Sequence, residues 1–186
     1  METKLNKLSR TLKLLFASYL AVLGIGVTTG LIYIYLTTSM TPSGTADQYK
    51  GNEEKYNTEE STYDEMEDFE DIDDFDPDEL SDMKTPKTFQ DLISHAHNHI
   101  ITFSFIFLSI GLIFSKNSLI KGNLKLFLIL EPFLSIILTF GGFFILRFLS
   151  DSFTYVIIIS SILMYSCFYC MLFVSLYDLL FNKNET

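Results

Sequence analysis

The sequence predicts an all-α fold, a four-helix transmembrane bundle with a long acidic extracytoplasmic loop. Four mainly apolar segments, at residues 14–36, 88–114, 126–148 and 153–176, are long enough to cross a bilayer. Charge is segregated from them, because 18 of the 23 acidic residues lie within residues 37–92, where the net charge is −14. The rest of the chain carries a net charge of +4. These observations exclude an ordinary soluble domain, and the acidic surface excludes nucleic-acid binding through it.

The first segment is predicted to be an uncleaved membrane anchor. Residues 14–36 form a run of 23 residues without a charge, and the tail at residues 1–13 contains four basic residues. The apolar part of a secretory signal is shorter, about 7 to 15 residues, and ends at a small-x-small cleavage site. Because residues 33–36 read YIYL, this segment does not end in that way.

The loop at residues 37–87 contains an acidic tract at residues 53–82, with 16 acidic residues, one lysine and one proline. Such a composition is too charged and too poor in apolar residues to offset the entropy of folding, which predicts disorder. Asp74, Asp76 and Asp78 match positions of a calcium-binding loop, but the glycine and the glutamate that complete the motif are missing. The tract is therefore interpreted as a solvated tether that attracts cations loosely. Its flanks, rich in turn residues, are candidates for ordered structure that caps the bundle.

The three histidines, His95, His97 and His99, all lie near the start of the second segment. Thr88 is predicted to cap this helix, with Asp91 three residues later completing a capping box. Residues four apart lie on one helix face, so Asp91, His95 and His99 form one stripe, whereas His97 points away from it. Imidazole and carboxylate groups are typical ligands of a transition metal ion. These four residues are the candidate metal ligands.

The chemistry of the histidine cluster is left open between three interpretations. A metal ion or a heme would need a further ligand from the acidic loop or from a second subunit, because the other three segments contain no histidine. Covalent c-type heme is excluded, since the chain has no C-x-x-C-H motif. Alternatively, the imidazoles form hydrogen bonds with loop carbonyls or lipid headgroups, and the carboxylate serves only as a helix cap. The third interpretation is a pH-dependent contact or a contact with a partner.

Glu131 lies inside the third apolar segment and starts a polar stripe with Ser135 and Thr139, at spacings of four residues. A charge near the bilayer centre costs about 2.5 to 3.5 kcal/mol on insertion scales, so an acid here is expected to be paired or turned into the bundle. One interpretation is a proton or cation relay. The other is an acid paired with a lysine of the loop at residues 115–125. The stripe continues to Gly142, and its small residues favour close helix packing.

Basic residues in the short flanks predict the orientation of the chain. The N-terminal tail carries four and the loop at residues 115–125 carries three, whereas the loop between the third and fourth segments has only Arg147, near Asp151. Both termini, at residues 1–13 and 177–186, are therefore expected in the cytoplasm. The acidic loop then lies on the outer side of a bacterial inner membrane.

Five pieces of the sequence, TTSMTPSG, YKGNE, MKTPKTFQDLI, HAHNH and EPFLSIILTFGG, together resemble a group of small four-helix bacterial membrane proteins. The resemblance covers most of the chain except the acidic tract, which is longer here than the group leads us to expect. It implies four helices and an outward-facing H-x-H motif with a part in function. It implies no activity, substrate or ligand set.

Three functions are consistent with these features. The first is a non-enzymatic accessory protein or subunit of a membrane complex, which contacts a transition metal ion or a heme through its outward histidines. The second is a small oligomeric protein of transport or proton handling that uses Glu131, and the third is a purely structural protein whose acidic loop meets a basic partner. The lipid bilayer, a membrane protein and a second copy of the chain are the expected partners. No enzyme is predicted, because no catalytic motif occurs. Cys167 and Cys170 are expected to be packing residues without a disulfide.

Overall fold

A computed structural model describes residues 4–5, 8–52 and 84–182 of the chain. These parts contain helices and no strand. The helices are α1 (Arg10–Thr38), α2 (Pro42–Lys50), α3 (Phe89–Ser115), α4 (Gly122–Phe148) and α5 (Phe153–Leu180). All except α2 are long and apolar enough to cross a membrane. The predicted class, an all-α four-helix transmembrane bundle, is confirmed.

α4 is the central helix of the bundle and α1 is the most peripheral. Half of the apolar stretch of α4 is buried inside the protein, compared with 17% of the apolar stretch of α1. Large side chains such as Phe107, Phe114 and Phe168 fill the core between α3, α4 and α5. Most apolar side chains of α1 point outward instead, as expected for a surface that faces lipid tails. Because lipid tails are themselves apolar, the helices are held together by close packing and polar contacts rather than by exclusion of water.

The two ends of the bundle differ in structure. At one end, which we call the terminal end, the backbone N–H of Leu5 donates to the carbonyl oxygen of Lys116 at 3.0 Å. At the same end the amide of Asn182 donates to the hydroxyl of Ser118 at 3.0 Å. Both ends of the described chain therefore meet the loop between α3 and α4. The other end is covered by α2 and is called the α2 end.

α2 was not foreseen as a helix by the sequence, which indicated only turn residues there. It begins with Thr41, whose hydroxyl accepts a hydrogen bond from the backbone N–H of Gly44 at 3.0 Å, and Pro42 occupies the first helical position. Ser39 and Met40 have positive φ angles of 50° and 51°, which turn the chain from α1 into α2. A tight corner thus folds α2 over the end of the bundle.

Candidate functional sites

Side chains and backbone groups attach α2 to three neighbouring parts of the bundle. The ammonium group of Lys50 forms an ion pair with Asp151, in the loop between α4 and α5. The backbone N–H of Lys87 donates to the carbonyl oxygen of Tyr49 at 3.1 Å. The guanidinium Nε of Arg147 then donates to the carbonyl oxygen of Lys87 at 2.9 Å. The start of α3, the end of α4 and α2 therefore form one connected cap.

Tyr49 joins this cap to the histidine cluster. Its ring stacks on Phe143 of α4, with ring centroids 4.1 Å apart and an angle of 19° between the planes. Its hydroxyl oxygen lies 3.5 Å from Nε2 of His95. Burial raises the pKa of the Tyr49 phenol above its usual value, and the charge of Tyr33 adds to this shift. Tyr49 is thus a neutral phenol held against an imidazole, a contact that the sequence did not predict.

The residues that flank the acidic tract, Asn52 and Lys84, are held together beside this cap. The backbone N–H of Asn52 donates to the carbonyl oxygen of Lys84 at 3.0 Å, and the N–H of Lys84 donates to Oδ1 of Asn52 at 2.7 Å. Gly51 makes this approach possible, because it has a φ of 83° and a Cβ here would lie 2.7 Å from that same carbonyl oxygen. The tract at residues 53–82, with the three aspartates of the calcium-loop comparison, lies outside the described residues. The residues on either side of the tract meet at one place, on the α2 end.

His95 and His99 lie side by side on α3. Their ring centroids are 4.2 Å apart, and both side chains are exposed. The ring of His99 lies nearly parallel to that of Phe140 on α4, at 5.8 Å and 12°. His97 is exposed and lies two residues along the helix, which places it on a different face. The structure therefore brings two of the four candidate ligands together.

Asp91, the carboxylate of the predicted stripe, is occupied by the cap of α3. Its Oδ2 accepts hydrogen bonds from the backbone N–H of Thr88 at 3.1 Å and from the Thr88 hydroxyl at 2.7 Å. The backbone N–H of Asp91 donates in return to that hydroxyl at 3.1 Å, which completes the predicted capping box. Within residues 4–5, 8–52 and 84–182, no group of three His, Cys, Asp or Glu side chains is placed to hold a metal ion.

Glu131 is buried in the interface between α4 and α5, with 7% of its surface exposed. The hydroxyl of Ser135 donates a hydrogen bond to Oε1, and Cys167 of α5 lies close to the carboxyl. Oε2 is buried and has no hydrogen-bond partner in the described part of the chain. The lysines of the preceding loop do not supply one there, and Lys125 donates instead to the carbonyl oxygen of Asn117 at 3.0 Å.

The rest of the polar stripe also faces α5. The hydroxyl oxygens of Thr139 and Ser160 lie 2.8 Å apart, and both side chains are buried. Ser160 also donates to the carbonyl oxygen of Ile157 at 3.1 Å, within its own helix. Glu131, Ser135 and Thr139 thus occupy one buried face of α4, and the polar groups continue onto α5.

Asp178 is a buried acid that the sequence reasoning missed. It is fully buried near the end of α5, and its carboxylate accepts hydrogen bonds from the backbone N–H and the hydroxyl of Ser118, at 2.9 and 2.8 Å. The amide of Asn182 adds a third hydrogen bond at 2.6 Å. The signal was an isolated acid directly after a long apolar run, which indicates a carboxylate with buried partners. Asp178 fixes the loop between α3 and α4 at the terminal end.

Comparison with protein families gives a match over residues 39–186 to a model described as a transmembrane helical domain. The match includes α2 to α5 and the acidic tract, and it begins directly after α1. Comparison with curated proteins and with solved structures gives no match. The match covers well over half of the chain. It agrees with the predicted resemblance insofar as both indicate a family of membrane proteins. The chain is a multi-pass membrane protein with four spans, and it belongs to this family of transmembrane helical domains.

Proposed function

We propose that the protein is a non-enzymatic accessory or subunit of a complex in the bacterial inner membrane, and that its outward surface binds a transition metal ion or a heme. The observation that carries the proposal is the pair of exposed imidazoles, His95 and His99, with ring centroids 4.2 Å apart. In this proposal both termini lie in the cytoplasm, because the basic residues of the tail and of the loop between α3 and α4 gather at the terminal end. The α2 end then faces outward.

The surroundings of the two imidazoles fit an open coordination site. Residues four apart on a helix present both rings to one ligand, and imidazole suits zinc, copper, iron and nickel ions. Neutral imidazole is the form that binds, and the aromatic rings of Tyr49, Phe140 and Phe143 around the pair favour a neutral group. Two ligands leave coordination positions for groups from a partner or a second copy, or from the acidic tract anchored nearby. Heme in particular needs such a second contributor.

The test is an absorption spectrum and an elemental analysis of the full chain purified in mild detergent, after incubation with each metal ion and with heme. The variant is His95→Ala/His99→Ala, and the matched control is His97→Ala, which removes an imidazole at the same depth from another face. A stoichiometric metal or heme signal that the control retains and the double variant loses would support the proposal. A wild-type protein that takes up neither metal nor heme would overturn it.

The acidic tract can be tested as a source of ligands without disturbing the fold. Because Asn52 and Lys84 hold its two ends together, a short Gly-Ser linker can replace residues 53–82. If the tract supplies carboxylate ligands, this variant should bind the metal at least tenfold more weakly than the wild type. If affinity is unchanged, the remaining ligands come from a partner or from solvent.

A second candidate function is proton or cation handling through Glu131. The observation that favours it is the buried Oε2, which has no hydrogen-bond partner in the described structure, in a helix interface that also contains Ser135, Thr139 and Ser160. An ionisable group inside a membrane helix is a candidate functional group by default. Four helices are few for a transporter, so this function requires an oligomer.

The test of the second candidate is pH-dependent ion flux into proteoliposomes that contain a trapped pH-sensitive dye. Glu131→Gln keeps the shape of the side chain and an acceptor for Ser135, and it should abolish flux if the carboxyl takes part. Ile157→Val, which changes an apolar side chain that faces Gly142 in the same helix interface, serves as a control for a general disturbance of that interface. Flux that persists in Glu131→Gln would overturn the proposed role of Glu131. Robust co-purification of a basic partner, without metal binding or ion flux, would favour a purely structural role.

A further inference from the structure

Four lysines line a pocket at the terminal end of the bundle, opposite the end that carries the histidines. The pocket has a volume of about 220 Å³ and is bounded by the loop between α3 and α4 and by the N-terminal segment. Its lysines are Lys4, Lys116, Lys121 and Lys125, and no acidic side chain lines it within the described residues. Four positive charges around one open cavity attract an anion.

Asn117 lines this pocket and has a side-chain donor without a hydrogen-bond partner in the described part of the chain. Its side chain is 4% exposed, and its Oδ1 accepts hydrogen bonds from the backbone N–H groups of Leu119 and Ile120 at 2.7 and 2.8 Å. Because both partners are donors, the oxygen must face them, and the amide nitrogen Nδ2 is the remaining group. Nδ2 is buried and has no partner in the described part of the chain. A buried donor of this kind costs free energy unless a ligand or water accepts its hydrogen bond.

The pocket is pre-organised by contacts on both sides of the loop. Leu5 is fully buried and donates its backbone N–H to Lys116, which holds Lys4 at the rim. Asp178 holds Ser118 from the other side, and its two oxygens are both engaged by Ser118 and Asn182. The loop therefore keeps its shape without a ligand, so little ordering entropy opposes binding.

The first turn of α4 adds to the positive potential. α4 begins at Gly122, and Lys121, the residue at its N-cap, makes no side-chain hydrogen bond to the free backbone N–H groups. The N-terminus of a helix carries a partial positive charge and favours anions, above all phosphate. Lys121 and Lys125 extend this end of the helix into the pocket wall.

We infer that this pocket binds a phosphate group, with Lys116 and Lys121 as charged contacts and Asn117 Nδ2 as a neutral donor. Lysine is a common phosphate binder, and basic pockets at the cytoplasmic ends of membrane helices suit anionic headgroups. The phosphate comes either from an anionic phospholipid or from a soluble phosphate compound. The inference is independent of the histidine site and of Glu131.

The test uses the full-length protein in mild detergent and in nanodiscs. Lipid binding is measured by native mass spectrometry after exchange into phosphatidylglycerol mixed with phosphatidylcholine, or into phosphatidylcholine alone. Binding of inorganic phosphate is measured by calorimetry in detergent. The pocket variants are Lys116→Gln/Lys121→Gln and Asn117→Asp, and the latter keeps an acceptor for Leu119 and Ile120 but replaces the free donor with a negative oxygen.

The matched control is Arg10→Gln/Lys13→Gln, which removes two positive charges at the same end of the bundle but outside the pocket. We expect each pocket variant to weaken binding at least tenfold and the control to weaken it less than threefold. The two variants that replace basic side chains should keep the thermal stability of the wild type. Pocket-dependent binding of phosphatidylglycerol identifies a lipid headgroup, and pocket-dependent binding of inorganic phosphate alone identifies a soluble compound. Absence of saturable binding, or equal loss in the pocket and control variants, would overturn the inference.

Discussion

Two neighbouring glycines of α4 provide a sharp test of how α4 packs against α5. A Cβ at Gly142 would lie 2.7 Å from Cγ1 and 3.4 Å from Cδ1 of Ile157, whereas a Cβ at Gly141 would have no atom within 4 Å. Ile157 is 3% exposed, so it has little space into which to move. Alanine at position 142 must therefore push the two helices apart or force Ile157 into a poor rotamer. Alanine at position 141 meets nothing.

The expected difference in stability between the two variants depends on two contributions, helix propensity and overpacking. Replacing Gly by Ala inside a helix stabilises it by about 1 kcal/mol, and this gain is the same at both positions. Overpacking a close helix contact costs roughly 1 to 3 kcal/mol, and only Gly142→Ala incurs this cost. We therefore expect Gly141→Ala to be neutral or stabilising by up to about 1 kcal/mol. Gly142→Ala should be less stable than Gly141→Ala by roughly 1 to 3 kcal/mol.

The assay is reversible unfolding of the purified protein by SDS in mixed micelles, followed by far-ultraviolet circular dichroism. Ile157→Ala provides a double-mutant cycle, because removal of Cγ1 relieves the clash, so Gly142→Ala should cost less in the Ile157→Ala background. Equal stability of the two glycine variants, within about 0.5 kcal/mol, would refute the close contact at Gly142.

The stability of the glycine variants also provides information on the site around Glu131. Gly142 lies 11 residues after Glu131, which is about three helical turns, so both residues share one face of α4. A different rotation of α4 would turn Glu131 away from Cys167 and toward lipid. The stability of a glycine variant thus reports on the orientation of the buried acid.

Three further predictions concern the two ends of the bundle. Asp178→Ala leaves the backbone N–H and the hydroxyl of Ser118 without their acceptor. We expect the free energy of unfolding in the same SDS assay to fall by about 3 to 5 kcal/mol. A decrease below about 1 kcal/mol would contradict the observed contacts. Lys50→Ala breaks an ion pair in which the side chain of Asp151 is 72% exposed, so it should change stability by less than about 1 kcal/mol. Because burial raises the pKa of Tyr49, the unfolded chain ionises this phenol first, and the wild type should lose stability as the pH rises above about 10. In unfolding curves measured at several pH values, Tyr49→Phe should lose less stability at alkaline pH than the wild type. Identical losses would contradict the burial of the Tyr49 phenol.

The fold and the local structure could be read from the sequence wherever they depend on neighbouring residues. Runs of apolar residues fix the four spans, and the pair of Thr88 and Asp91 produces the capping box that the structure shows. The spacing of the stripe also places Glu131 on a buried face, as the sequence indicated. These features need only periodicity and residues within one or two turns of each other.

Contacts between distant parts of the chain could not be predicted in this way. The cap α2 is short, and an isolated helix of this length is marginal in water, so it depends on contacts such as those of Tyr49 with Phe143 and Lys50 with Asp151. Asp178 reaches Ser118 across 60 residues of sequence. No local pattern specifies such partners, because they are set by how the helices meet.

The two candidate functions are separable because aromatic groups lie between the sites. Phe140 lies nine residues after Glu131, about 14 Å along α4, and its ring stacks beneath His99. Thr139 and Ser160 extend the polar stripe up to that level, but Phe140 is buried and offers no hydrogen-bonding group to continue it. Variants of the histidine pair should therefore leave any ion flux unchanged, and Glu131→Gln should leave metal binding unchanged. If either variant altered both ion flux and metal binding, the two sites would have to be coupled through a movement of α4. They would then not be independent sites of one bundle.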